Sequence, residues 1–260
     1  MFRLFLLIFI SVMALGGFGC QAVKSPPPEN PLSKSPSPVA PSAERVPHPS
    51  PSKPTAEQIK AASSYRLKGL EYRSQQRYTE AIQAFYRAVD LDPQNISGRV
   101  LLGWTLHLAG REPEAITELK KTLSFDANNV AALNALGIVY LVSGNLPLAV
   151  ETHHRAIKLK ADNEIAHYNL SLAYHLLKNY EQGIIHGKEA TVLEPENPHP
   201  WVALALVYWE KGDKLLAQQT YQKAINLDGR YRESWFLGHL KEAGFSSGQI
   251  QQVEKIRQSV

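Results

Sequence analysis

The chain repeats itself every 34 residues. Asn95, Asn129, Asn163 and Asn197 stand at that interval, and so do Gly69, Gly103 and Gly137, a ladder that Ser171 and Ala205 continue. Ala81, Ala115, Ala149, Gly183 and Ala217 make a third ladder. A register kept over five copies without insertion is an internal repeat, and repeats of this length stack so that each packs on its neighbours. The copy from Val130 to Asn163 shows what one unit contains. Leu133, Leu136, Val139 and Tyr140 recur at helical spacing, Gly144-Asn145 breaks the run, and Ala149, Val150, Ala156, Ile157 and Leu159 carry a second one. The spacing predicts two short amphipathic helices around a tight turn. The units are 62–95, 96–129, 130–163, 164–197 and 198–231.

Helix punctuation agrees with that division. Thr55 and Gln58 form a capping box after Pro54 and predict a helix start near Ala56, a turn or more before the first unit. Pro113 and Pro147 fall in the first turn of second helices, where a missing N–H is harmless, and Pro93 ends one. The asparagines at 95, 129, 163 and 197 sit at unit junctions and read as helix caps. One more helix is expected around Arg232 to Ala243. A polar helix from about Gly248 to Gln258, with Gln249, Gln251, Gln252, Glu254, Lys255 and Arg257, is expected to cap the open end of the stack.

Repeat one carries a family resemblance most fully. Tyr65, Gly69, Tyr72, Ala81, Phe85, Ala88 and Pro93 match positions 4, 8, 11, 20, 24, 27 and 32 of the tetratricopeptide repeat, with Lys68 departing at position 7. Residues 56 to 260 resemble that family. The resemblance implies an all-α, right-handed α-solenoid of about five repeats, with 232–260 as a partial repeat and capping helix. It also implies a concave groove lined by the first helices. The family's groove positions fall on Arg66, Arg73, Trp104, His107, Asn134, Ile138, Tyr168, His175, Val202 and Trp209, then Phe236 in the tail. Trp, Tyr and Arg of this kind suit an extended peptide or a partner helix; the other reading places several of them in the core between repeats. Leu70 stands where the family's carboxylate clamp has Asn, and only Asn169 fits the asparagine ladder of its sugar-transferase members, so neither site is expected. Gly183 and Gly187, four apart on one helix face, are read either as a place of close approach for a neighbouring helix or partner, or as drift.

No catalytic motif is present: no HExxH, nucleophile elbow, phosphate loop or dinucleotide fingerprint. The chain is read as a non-enzyme without cofactor. His153 and His154 are adjacent and so point about 100° apart on a helix, and no metal site is expected. The net charge is +4, but residues 1–60 hold six basic and three acidic side chains, which leaves 22 against 21 for the remainder. Without a basic stripe, a nucleic-acid partner is not expected.

The first 20 residues read as an export signal: Arg3, an apolar run from Leu4 to Leu15, then Gly16, Gly17, Phe18, Gly19 and Cys20, the only cysteine. The end resembles the lipobox of bacterial lipoproteins, which implies lipidation of Cys20. Gly17 and Phe18 depart from that motif and leave two other outcomes open, ordinary cleavage after Gly19 and retention of the segment. Residues 21–54 hold 11 of the 17 prolines and predict a disordered or extended tether. Fully extended as polyproline it would reach about 105 Å. The expected function is a scaffold or adaptor of the bacterial cell envelope that binds another envelope protein or a peptide segment in its groove. The alternatives are an accessory module for envelope glycan or cell-wall enzymes, and a self-associating spacer.

Overall fold

A computed structural model describes residues 53–260; the expected signal, Cys20 and nearly all of the tether lie outside the described residues. Those described form helices and no strand. They run α1 (Ala56–Ser74), α2 (Tyr78–Leu91), α3 (Ile96–Leu108), α4 (Glu112–Phe125), α5 (Val130–Val142), α6 (Leu146–Leu159), α7 (Glu164–Leu176), α8 (Tyr180–Leu193), α9 (Pro198–Lys211) and α10 (Lys214–Leu227). Two 3-10 stretches, Gly229–Arg232 and Ser234–Lys241, lead to α11 (Ser247–Gln258). No helix among the described residues is long and apolar enough to cross a membrane.

The local rules that start and stop these helices are visible in the side chains. Thr55 and Gln58 make the capping box that starts α1. Asn95, Asn129, Asn163 and Asn197 cap α3, α5, α7 and α9, their Oδ1 atoms accepting from the backbone N–H groups of Gly98, Ala132, Ala166 and His199 at 2.9–3.2 Å. Each turn within a unit passes through the left-handed region at one residue. Gly110, Gly144 and Gly212 take that place in three units, while Gln76 (φ 58°) and Lys178 (φ 57°) take it in the other two.

The helices of a pair meet at one point of closest approach, and there the volumes compensate. A Cβ on Gly69 would lie 2.7 Å from the Phe85 ring, one on Gly103 2.6 Å from Leu119, and one on Gly137 2.6 Å from the His153 ring. In repeat four the sizes are exchanged: Ser171 is on the first helix and Gly187 on the second, where a Cβ would lie 2.9 Å from the Ser171 Oγ. That hydroxyl also donates to the Gly183 carbonyl at 3.0 Å. A Cβ on Gly183 would lie 3.1 Å from Val207 of α9. The Gly183/Gly187 pair therefore admits α7 and α9.

Successive first helices pack against one another from α3 to α9, and each second helix packs against its own first helix and the next. Crowding the first helices together puts them on the inner face of the curve, and the second helices outside.

The tail departs from the expected helix at 232–243, which forms the two 3-10 stretches instead. A sixth pair would place His239 and Gln251 at the positions held by small residues in the repeats. Neither bulk nor polarity suits that contact. α11 therefore packs against α9 on the inner side as well as against the preceding stretch. Phe245, Val253 and Ile256 bury themselves in the same cluster as Leu172, Val202 and Leu206.

Candidate functional site

The inner face carries a row of side chains 34 residues apart: Leu70, Trp104, Ile138, Leu172 and Leu206. The first three are half-buried. Leu172 and Leu206 are fully buried. The difference is the chain's own tail, which lies over repeats four and five.

The tail is fastened by polar bonds as well as by apolar burial. The Tyr168 hydroxyl donates to the Ala243 carbonyl at 2.6 Å, and the Tyr168 ring stands 6.4 Å from that of Phe245. Burial raises the Tyr168 hydroxyl's pKa well above its ordinary value, so the donor keeps its proton. Gln249, buried on the first turn of α11, donates through Nε2 to the Leu172 carbonyl at 3.2 Å and meets His175 Nδ1 at 3.1 Å. An acceptor role at Nδ1 leaves the His175 proton on Nε2, which has no partner among the described residues. Burial lowers the His175 pKa to about 4. Tyr168 and His175, expected to face a partner, thus face the chain's own C-terminal segment.

The two groove residues beyond them are also engaged. Lys214 Nζ sits 3.6 Å from the centroid of the Trp209 ring and donates to the Trp209 carbonyl at 2.8 Å. Phe236 lies in the 3-10 tail, its ring centroid 4.4 Å from Arg230 Cζ, beside Tyr231 and His239.

Repeats one to three keep an open half. Trp104 and His107 stand on α3 with ring centroids 5.1 Å apart. Ile138 is half-buried. Asn134 is buried and exchanges amide hydrogen bonds with Asn163 at 2.9 and 3.1 Å, so its polar atoms hold the junction between repeats. Arg66 leans on Asp92 at 3.5 Å. Arg73 forms no ion pair among the described residues, and its Nη1 is buried without a hydrogen-bond partner there. Burial pulls the Arg73 pKa down, opposed by Tyr78. His107 Nδ1 is likewise buried and unbonded, with Glu112 Oε1 3.7 Å away. Burial lowers the His107 pKa and Glu112 opposes the shift.

Away from the inner face, His154, His167 and His186 gather with Tyr174 between repeats three and four. His167 Nδ1 meets His186 Nδ1 at 3.0 Å, and His154 Nε2 meets the Tyr174 hydroxyl at 2.8 Å. Among the described residues no three His, Cys, Asp or Glu side chains converge as a metal-ligand set.

Tetratricopeptide repeat family models match residues 72–137, 134–198 and 198–231. The chain is a tetratricopeptide repeat protein. No curated protein matches it. Among solved structures, that of MamA is 25% identical over 62% of this chain and 95% of its own, with a TM-score of 0.56. MamA from residue 41 to its end, from Desulfovibrio magneticus RS-1, is 23% identical over 65% and 95%, with a TM-score of 0.59. A thermophilic tetratricopeptide protein of Thermus thermophilus, TTC0263, is 23% identical over 65% and 93%, with a TM-score of 0.56. The tetratricopeptide α-solenoid is an interaction scaffold whose curved inner surface binds other proteins. Trp104 and Ile138 of this row are among the groove residues expected from the sequence; the tail that covers its other end, and the contributions of Leu70, Leu172, Leu206, Phe245 and Gln249, are not. The 34-residue spacing of Leu70, Trp104, Ile138, Leu172 and Leu206 was the signal that could have exposed the row.

Proposed function

We propose that this tetratricopeptide protein is an adaptor of the bacterial cell envelope that holds a segment of another envelope protein in the inner groove of repeats one to three. The observation that carries the reading is the contrast along one row. Leu172 and Leu206 are covered by the tail, whereas Leu70, Trp104 and Ile138 remain half-exposed. A large, half-exposed aromatic among aliphatic neighbours suits a binding hot spot. The location rests on the sequence: the apolar run to Leu15 exports the chain, a lipid on Cys20 anchors it, and the proline-rich 21–54 stands the solenoid off the membrane.

Capture from solubilised envelopes tests the groove. Full-length wild type is compared with Trp104→Ala plus Ile138→Ala and with Trp201→Ala as a control, all matched for helicity and melting. A discrete protein retained by wild type and control but lost by the groove variant supports the reading. Equal retention by all three moves the site elsewhere. For the anchor, Cys20→Ser should remove the lipid mass and release the protein from membranes; unchanged mass and retention would rule the anchor out.

A further inference from the structure

Two of the polar contacts that fasten the C-terminal tail close only on uncharged histidines. Gln249 of α11 is held in one orientation by the backbone. Its Oε1 accepts from the Ser246 N–H at 2.9 Å, and its Nε2 donates to the Leu172 carbonyl at 3.2 Å. Turning the amide over would break both bonds. Nε2 therefore also meets His175 Nδ1 as a donor, at 3.1 Å, and that nitrogen must offer a lone pair. A further proton on His175 goes to Nδ1 and sets two donors against each other.

The second contact joins the tail to the start of α9. His239 Nδ1 donates to the Phe236 carbonyl, so its Nε2 is the unprotonated nitrogen. That atom lies 3.0 Å from the Tyr231 hydroxyl and 3.3 Å from Nε2 of His199, on the first turn of α9. One proton can sit between the two rings. Two charged rings would hold N–H against N–H, with their centroids 5.4 Å apart. The surrounding charges do little to offset this. Asp228 favours charge on both rings and Glu242 favours it on His239, but Arg230 opposes it on His239 and holds the Asp228 carboxylate at 2.7 Å. Glu254 and Arg257 of α11 pair with each other at 2.6 Å. Tyr180 stands beside His175, ring centroids 6.3 Å apart, and no charged group contributes to the burial that lowers the His175 pKa to about 4. Burial, reinforced by His239, brings His199 to about 4 as well.

We infer that the tail is an acid-released strap: protonation of His175 and of the His199–His239 pair frees residues 234–260 from the inner face and uncovers Leu172, Val202 and Leu206 while the repeats remain folded. A stack of repeats can open at one end, because each repeat is held mainly by its neighbours. A released histidine takes its proton near pH 6.5, so the fastening is complete above that pH and is lost as the pH falls toward 4. Within that window each histidine raises the opening constant about ten-fold per pH unit. The release is a property of the tail and stands whether or not the open half of the groove binds a partner.

Hydrogen exchange of the full chain, read by mass spectrometry and corrected for the intrinsic rate at each pH, tests this. Between about pH 7.5 and about pH 5 the amides of α11 should lose protection by about 100-fold or more, and those of α1 to α4 by less than about ten-fold. His175→Asn keeps an acceptor near the Nδ1 position, His199→Gln keeps a donor near the Nε2 position, and neither replacement titrates. The double variant should hold α11 protected at neutral pH and lose less than about ten-fold of that protection in acid. Each single variant should remove about half of the wild-type loss on a logarithmic scale. His153→Leu, in repeat three, should leave the response of α11 unchanged. Protection of α11 that is constant with pH, that is lost together with that of α1 to α4, or that is lost as fully in the double variant as in wild type would overturn the inference. If the double variant leaves α11 unprotected even at neutral pH, the single variants decide: an undiminished acid loss in both overturns the inference, and a diminished loss in either upholds it.

Discussion

The Tyr168 hydroxyl donates to the Ala243 carbonyl at 2.6 Å, tying together residues 75 apart in the chain. The bond closes the end of the solenoid over its own inner face. Without the tail, Leu172, Val202 and Leu206 would face water. Deleting residues 243–260 should therefore lower the melting temperature and create binding for a dye that reports exposed apolar surface. Tyr168→Phe keeps the ring and removes the bond, and should lower stability by about 1 kcal/mol in denaturant titration. A deletion with unchanged melting would mean that the tail contributes nothing to the repeat domain.

His153 is fully buried against Gly137, and both its ring nitrogens lack partners among the described residues. Repeat two solves the same contact with Leu119 against Gly103. His153→Leu should therefore stabilise the protein by about 1–2 kcal/mol, because an apolar group replaces two unsatisfied polar atoms. Thermal and denaturant unfolding would check the sign.

Acid should destabilise the fold before its carboxylates titrate. Burial, reinforced by His154, lowers the His153 pKa to about 3. Burial also lowers His175, His186 and His199 to about 4; His167 and His154 reinforce the shift at His186, and His239 reinforces it at His199, where Asp228 opposes. In the unfolded chain these rings accept protons near pH 6.5, which the folded chain refuses. Their contribution to stability is thus complete above pH 6.5 and is lost as the pH falls toward the folded values. Melting temperatures measured from about pH 7.5 down to about pH 5 should decline, and His153→Leu should flatten the decline.

Gly137→Ala should cost about 2–3 kcal/mol, since the new Cβ would enter the His153 ring and neither helix of the pair can yield without disturbing its neighbours. His153→Ala opens that space, so the double substitution should be much less damaging than the two single losses added together. Additive losses in a double-mutant cycle would show that the two residues do not share one contact.

Lys178 is exposed and left-handed (φ 57°), at a turn where Gly110, Gly144 and Gly212 serve three other repeats. Lys178→Gly should stabilise the protein by about 0.5–1 kcal/mol, as relief of the strained backbone exceeds the added flexibility of the unfolded chain. A lower melting temperature would mean that the lysine makes a contribution larger than that relief.

The sequence by itself determined everything that depends on neighbours along the chain or on the repeat interval. The asparagine caps, the Thr55–Gln58 box, the helix pairs and the small residues at their crossings follow from the local backbone and from a period that returns each side chain to the same face. What only the tertiary structure decided is which parts of the inner face stay open. Tyr168 and His175 stand at the same repeat positions as Arg66 and Arg73, yet the tail takes them because His239 and Gln251 deny α11 a regular partner helix. Asn134 is likewise spent on Asn163, 29 residues away. Repetition makes every unit look equivalent, and the tail breaks the equivalence: it packs on the inner face and buries Leu172 and Leu206, while the equivalent Leu70, Trp104 and Ile138 stay half-buried.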